Sequence, residues 1–174
     1  MIPNLVVLNL QVAMGVTVYL VLYRVYLRRW FTSQPFEVVI LPLLILHVFR
    51  YLGLLLLAPG QVDPALPAEA LAVIAWGDFA SGVTAMIAAV AVHHRWSAAT
   101  LLVGIFSLVG LADFVIVGIT ATRVGIFDAE IGIMWFLAVF FAPALLLSQI
   151  YVAYRLIRRL GGESPSAAVG APRR

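Results

Sequence analysis

Five apolar stretches of roughly 20 residues run along nearly the whole chain, and short segments rich in Arg, Asp, Glu, Pro and Gly separate them. Each is long enough, at 1.5 Å per residue, to cross ~30 Å of hydrocarbon as a helix. The pattern predicts spans over residues 5–23, 35–58, 68–92, 98–121 and 131–154. Arg24, Arg28 and Arg29 follow the first, with Trp30 and Phe31 at headgroup level; nothing positive precedes it, so it does not read as a cleavable leader. Pro59-Gly60 closes the second, and residues 61–67, with Asp63 and two prolines, read as a polar turn. His93-His94-Arg95-Trp96 ends the third, Arg123 the fourth, and residues 125–130 carry Asp128 and Glu130. After Arg155, Arg158 and Arg159 the composition turns to Gly, Ser, Pro and Ala. The expected organisation is one five-helix transmembrane bundle over residues 1–160 and a disordered cytoplasmic tail over 161–174.

Composition changes this picture only by sharpening it. Of 174 residues 64% are hydrophobic and 11% charged, with mean hydropathy +1.08; a soluble core of this size could not hide so much apolar surface. The fold class is therefore all-α, a polytopic membrane helix bundle whose first partner is the lipid bilayer. All 11 cationic side chains are arginine, which excludes a lysine Schiff base, and the absence of cysteine excludes disulfides and thiolate metal sites. The net charge of +3 does not indicate nucleic acid, because the arginines collect at helix ends. One side holds Arg24, Arg28, Arg29, Arg95, Arg155, Arg158, Arg159, Arg173 and Arg174, and the other Arg123 alone. The positive-inside rule then predicts N-out/C-in.

Candidate chemistry lies where charge falls inside a span, at a cost of roughly 2.5–3.5 kcal/mol per ionised side chain near the bilayer centre. Arg50, Asp78 and Asp113 are those charges. Counting from each span's midpoint puts Arg50 ~5 Å, Asp78 ~3 Å and Asp113 ~6 Å to the same side of centre. Short connections make the second, third and fourth helices antiparallel neighbours, so an Arg50–Asp78–Asp113 cluster is expected, with His47 one turn below Arg50. Gly77, Ser81, Ala85 and Ala89 form one small-residue stripe; Thr100, Gly104, Ser107, Gly110 and Asp113 share another face, so the acidic faces should point inward. Two carboxylates against one guanidinium leave one surplus negative charge, to be met by a proton, a protonated His47 or a bound cation.

Each feature has a plainer reading. The ion cluster could be a packing pin that fixes helix register. His47 would then hydrogen-bond a carboxylate or backbone group; a haem would need a second axial ligand that one chain lacks. His93 and His94 read as a solvated helix end, and Asn4, Asn9 and Gln11 as helix-to-helix hydrogen bonds. Pro42 and Pro143 read as kinks. No phosphate loop, nucleophile triad, HExxH or dinucleotide fingerprint is present, so no catalytic residue, metal site or cofactor is assigned.

The run His47-Val48-Phe49-Arg50-Tyr51-Leu52-Gly53, closing at Pro59-Gly60, with Gly77-Asp78 and Ala112-Asp113, resembles a group of small bacterial inner-membrane proteins of unknown function. Where that group has Trp-Gly-Thr-Ala-Asp in the fourth span, this chain differs at Val109 and Leu111. The resemblance implies a multi-pass protein of the bacterial inner membrane and lends no activity. Three functions stay open: transport of a small solute, ion or proton through the Arg/Asp/His cluster; a structural or accessory subunit with a sealed ion network; and a membrane redox or lipid-modifying enzyme using His47 with an aspartate. Assembly as a homo-oligomer is equally open.

Overall fold

The computed structural model describes residues 4–162 as an up-and-down bundle of five helices, each long and apolar enough to cross a membrane. They are α1 (Asn4–Ser33), α2 (Phe36–Leu57), α3 (Ala68–His93), α4 (Ala99–Arg123) and α5 (Ile133–Leu160). There is no strand among the described residues; residues 163–174, most of the expected tail, lie outside them. Large apolar side chains face outward along the bundle, Leu10, Leu108 and Ile157 each being about two-thirds exposed or more (67%, 73% and 69%).

Three helices end within two residues of the expected position, and two run on: α5 reaches Leu160, six residues past Tyr154, and α1 goes further still. α1 continues to Ser33, ten residues past the expected end at Tyr23, through a π-helical turn at Tyr23–Leu27. Arginine marks where a chain leaves hydrocarbon, but it is a good helix former and does not end a helix. Pro35 does: the residue before a proline is pushed out of the α region, and Gln34 is extended (φ −92, ψ 152). The open carbonyls of this end are capped from α5. Arg155 Nη1 donates to Phe31 O at 2.6 Å, its Nη2 to Gln34 O at 3.2 Å, and the Tyr151 hydroxyl to Phe31 O at 3.1 Å. A guanidinium there also meets the negative end of the helix dipole.

α1 lies at the edge of the bundle, and Leu8 is its one buried residue. It docks on α5 through positions four apart. Gln11 Oε1 accepts from Trp135 Nε1 at 2.8 Å, and the Tyr19 hydroxyl donates to Phe140 O at 2.8 Å. Between them Gly15 lies so close that a Cβ would stand 3.0 Å from Val139 O. Proline supplies the reason. Pro143 has no N–H to bond Val139 O, four residues earlier, and Leu137–Phe141 is π-helical just before it. Val139 O, left without that bond, faces Gly15 of α1, and the next carbonyl, Phe140 O, accepts from Tyr19. The expected role of Gln11 as a helix-to-helix hydrogen bonder takes this form.

α2 changes character halfway. Phe36–Val48 is α-helical and Phe49–Leu57 is a 3-10 helix of nine residues, whereas such runs rarely exceed three or four. At three residues per turn Arg50, Gly53 and Leu56 stack on one line, and they are the buried residues of this segment. The change of winding occurs where α3 comes closest, since a Cβ on Gly82 would stand 3.0 Å from Val48 O.

α3 packs against both halves of α2 and against α4, while α5 closes the bundle against α2, α4 and α1. Two apolar clusters result. One, at the end carrying Arg95 and Arg155, joins Phe36, Ile40, Leu44, Ala85, Val92, Val103, Phe106 and Val152. The other, at the end carrying the Gln61–Pro67 and Gly125–Glu130 turns, joins Leu56, Leu71, Ile74, Ala121, Ile126 and Ile131. The two turns are tied together there by Asp63 N donating to Glu130 O at 2.8 Å.

Replacing Arg155 by Ala removes two charge-assisted bonds at the end of α1, and should lower the stability of the purified protein by about 1.5–3 kcal/mol. An unchanged thermal midpoint in detergent would show that α1 is held without this cap.

Candidate functional site

The three charges inside the helices meet. Arg50, on the first turn of the 3-10 segment, donates from Nε to Asp78 Oδ1 at 2.9 Å and from Nη2 to Asp113 Oδ2. The ring of Phe114 covers the guanidinium face, with Cζ 4.4 Å from its centroid, a favourable stacking for a desolvated cation. Arg50 and Asp113 are sealed, with side chains 1% and 5% exposed, while Asp78 keeps 22%.

Glycines make room for this geometry. A Cβ on Gly53 would fall 2.7 Å from Asp78 Cβ, so the aspartate of α3 lies directly against the backbone of α2. Asp113 rests in the same way on Gly77 of α3, and the Gln149 amide on Gly110 of α4, where a Cβ would stand 2.7 Å from Oε1. Each of these polar side chains reaches the bundle axis over a glycine of the neighbouring helix. That is why Gly53 stands three residues after Arg50: the 3-10 winding places it one turn above the guanidinium.

His47 is fully buried one turn from Arg50, but it joins a different pair. Its Nε2 lies 3.0 Å from Ser148 Oγ, and its ring meets Phe106 edge-on at 4.9 Å. The partner is thus a hydroxyl of α5 instead of a carboxylate or backbone group. Ser148 and Gln149 had no place in the sequence reading, and Ser81 entered it only as a member of a small-residue stripe, although Ser148-Gln149 is a conspicuous polar pair inside the apolar stretch of α5. With Ser81 and Ser107 they extend the polar layer from the ion triad toward the Arg155 end, where it stops against fully buried Leu44, Ala85, Val103, Phe106 and Val152. Six buried polar atoms in this layer, including Arg50 Nη1, Asp113 Oδ1 and His47 Nδ1, have no hydrogen-bond partner among the described residues.

On the other side of the triad lies a cavity of about 230 Å³. Its wall is almost entirely hydrocarbon, with Leu8 and Val12 from α1, Ile74 from α3, Val117 from α4, Phe127 from the turn and Met134 and Phe141 from α5. Arg50 and Asp78 are its charged residues. The site is therefore one-sided, with an apolar chamber above, an ion triad as its floor, and a packed apolar plug beneath.

Residues 7–157 match the family described as Domain of unknown function (DUF8737), and the chain belongs to that family. No curated protein and no solved structure matches it.

Removing one partner from a buried ion network leaves uncompensated charge, so Arg50→Leu should cost about 3–5 kcal/mol, whereas the triple change Arg50→Met, Asp78→Leu, Asp113→Leu should recover most of the loss. Thermal unfolding of the single and triple variants in one detergent checks this. A triple variant no better than Arg50→Leu would mean that the fold requires the triad itself.

Proposed function

We propose that this family member is a multi-pass protein of the bacterial inner membrane, N-terminus outside and C-terminus inside, whose Arg50–Asp78–Asp113 cluster handles a small solute, ion or proton in transport. Support for the membrane setting comes from the apolar outer surface and from Arg24, Arg28, Arg29, Arg95, Arg155, Arg158 and Arg159, which belong to one end of the bundle. In that orientation the cavity occupies the outer half and the apolar plug the cytoplasmic half.

The observation that carries the reading is the unequal exposure of the triad. An ion network that only fixes helix register needs no chamber beside it, because its members satisfy one another. Here two members are sealed and Asp78 faces a chamber. Ionisable groups inside a membrane bundle that look onto a cavity mark substrate or ion paths in general. The sealed accessory network is disfavoured by that opening and by the unpartnered atoms Arg50 Nη1 and Asp113 Oδ1. The acid–base enzyme is disfavoured because His47 is not among the cavity's lining residues and is bonded to Ser148 instead.

Dicyclohexylcarbodiimide, a lipid-soluble reagent for protonated carboxyl groups in apolar surroundings, tests the reading directly. Peptide mapping of the treated protein should find the adduct on Asp78 and none on Asp113, and Asp78→Asn should abolish labelling within the bundle. Failure of Asp78 to label, with the exposed Asp128 reacting under a water-soluble carbodiimide as a control, would return the triad to a sealed structural role.

A further inference from the structure

The chemistry of the ligand can be narrowed from what the cavity sees of the triad, given the transport reading above, on which this inference rests. Two nitrogens of the guanidinium are engaged, Nε by Asp78 and Nη2 by Asp113, and its face lies under Phe114. Only 1% of its side chain is exposed, and the two carboxylates bonded to it offset its positive charge. Asp78, with 22% of its side chain exposed, lines the chamber within a wall of hydrocarbon and aromatic rings. Arg50 Nη1 is buried and has no hydrogen-bond partner among the described residues.

The geometry points to an organic cation with a hydrocarbon or aromatic body as the ligand, bound in exchange for a proton. The body would occupy the chamber among Phe49, Phe127 and Phe141, and its ammonium would meet Asp78. An anion of the same shape would face a carboxylate floor, and a neutral one would leave the surplus charge unmet. The exchange follows from counting charge. Arg50 neutralises one of the two carboxylates, so the cluster is neutral with one added proton or with one bound cation, and carries excess positive charge with both. When the cation arrives the proton leaves the carboxyl oxygen for water, and when the cation departs a proton returns; no bond other than O–H forms or breaks.

Charged and titratable groups around Asp78 are few. α2 brings Arg50 and, one turn further on, His47; α4 brings Asp113; α5 brings only uncharged Ser148 and Gln149 to this layer, and α1 lines the chamber with Leu8 and Val12. Competition between proton and cation therefore centres on the two aspartates.

Three compounds with one hydrocarbon body separate the cases: 4-phenylbutyltrimethylammonium, 4-phenylbutanol and 4-phenylbutanesulfonate. Each is added to the purified full-length protein before dicyclohexylcarbodiimide, and the labelling rate of Asp78 is followed by mass spectrometry. The quaternary ammonium should slow labelling by about tenfold or more, and its half-protecting concentration should fall as pH rises. Alcohol and sulfonate should protect little. Equal protection by the alcohol or the sulfonate, or a half-protecting concentration that ignores pH, overturns the cation–proton exchange while leaving Asp78 an accessible carboxyl. Absence of Asp78 labelling before any compound is added overturns the transport reading as well.

Discussion

One buried guanidinium organises this bundle. Arg50 bonds an aspartate from each of two other helices, and taking these three groups out of water costs several kcal/mol per ion unless each finds close, well-aligned partners. That demand reaches outward through the fold. The carboxylates can meet the guanidinium only if α2, α3 and α4 approach closely, so Gly53, Gly77 and Gly82 stand at the contacts. The guanidinium can face inward together with Gly53 and Leu56 only if α2 winds at three residues per turn, and it does so from Phe49 onward. The unusual length of the 3-10 segment is thus tied to the triad.

The triad also divides the bundle into unlike halves. Toward Arg155, side chains interlock with Leu44, Ala85, Val103 and Val152 fully buried. Toward the Gly125–Glu130 turn, α1 and α5 stand away from α3 and α4 and leave a chamber. Helix α1, with one buried residue and its docking on α5 beside Val139 and Phe140, forms part of that wall.

Much of this was legible in the chain. Long apolar runs reveal helices regardless of tertiary detail, and counting residues from each midpoint brought Arg50, Asp78 and Asp113 into one layer because antiparallel neighbours share depth. Other features were hidden for physical reasons. The end of α1 was read from arginines, which report polarity, when Pro35 controls the backbone. The 3-10 winding has no signature in hydropathy, since Phe49–Leu57 is apolar apart from Arg50 under either winding. The Ser148 hydroxyl that His47 meets belongs to α5, which is distant in sequence and reaches His47 only through tertiary packing. The cavity is a property of five helices at once, and no local pattern encodes it.

The central claim is that the triad separates an open chamber from a sealed plug, and single-cysteine reactivity tests it most directly. The natural chain contains no cysteine, so one introduced thiol is the only target. Leu52→Cys and Ala138→Cys sit on the chamber wall, and Val103→Cys and Val152→Cys in the plug. N-ethylmaleimide applied to the folded protein should modify the first two and spare the last two until denaturant is added. Equal reactivity at all four positions, or protection of all four, would contradict the account.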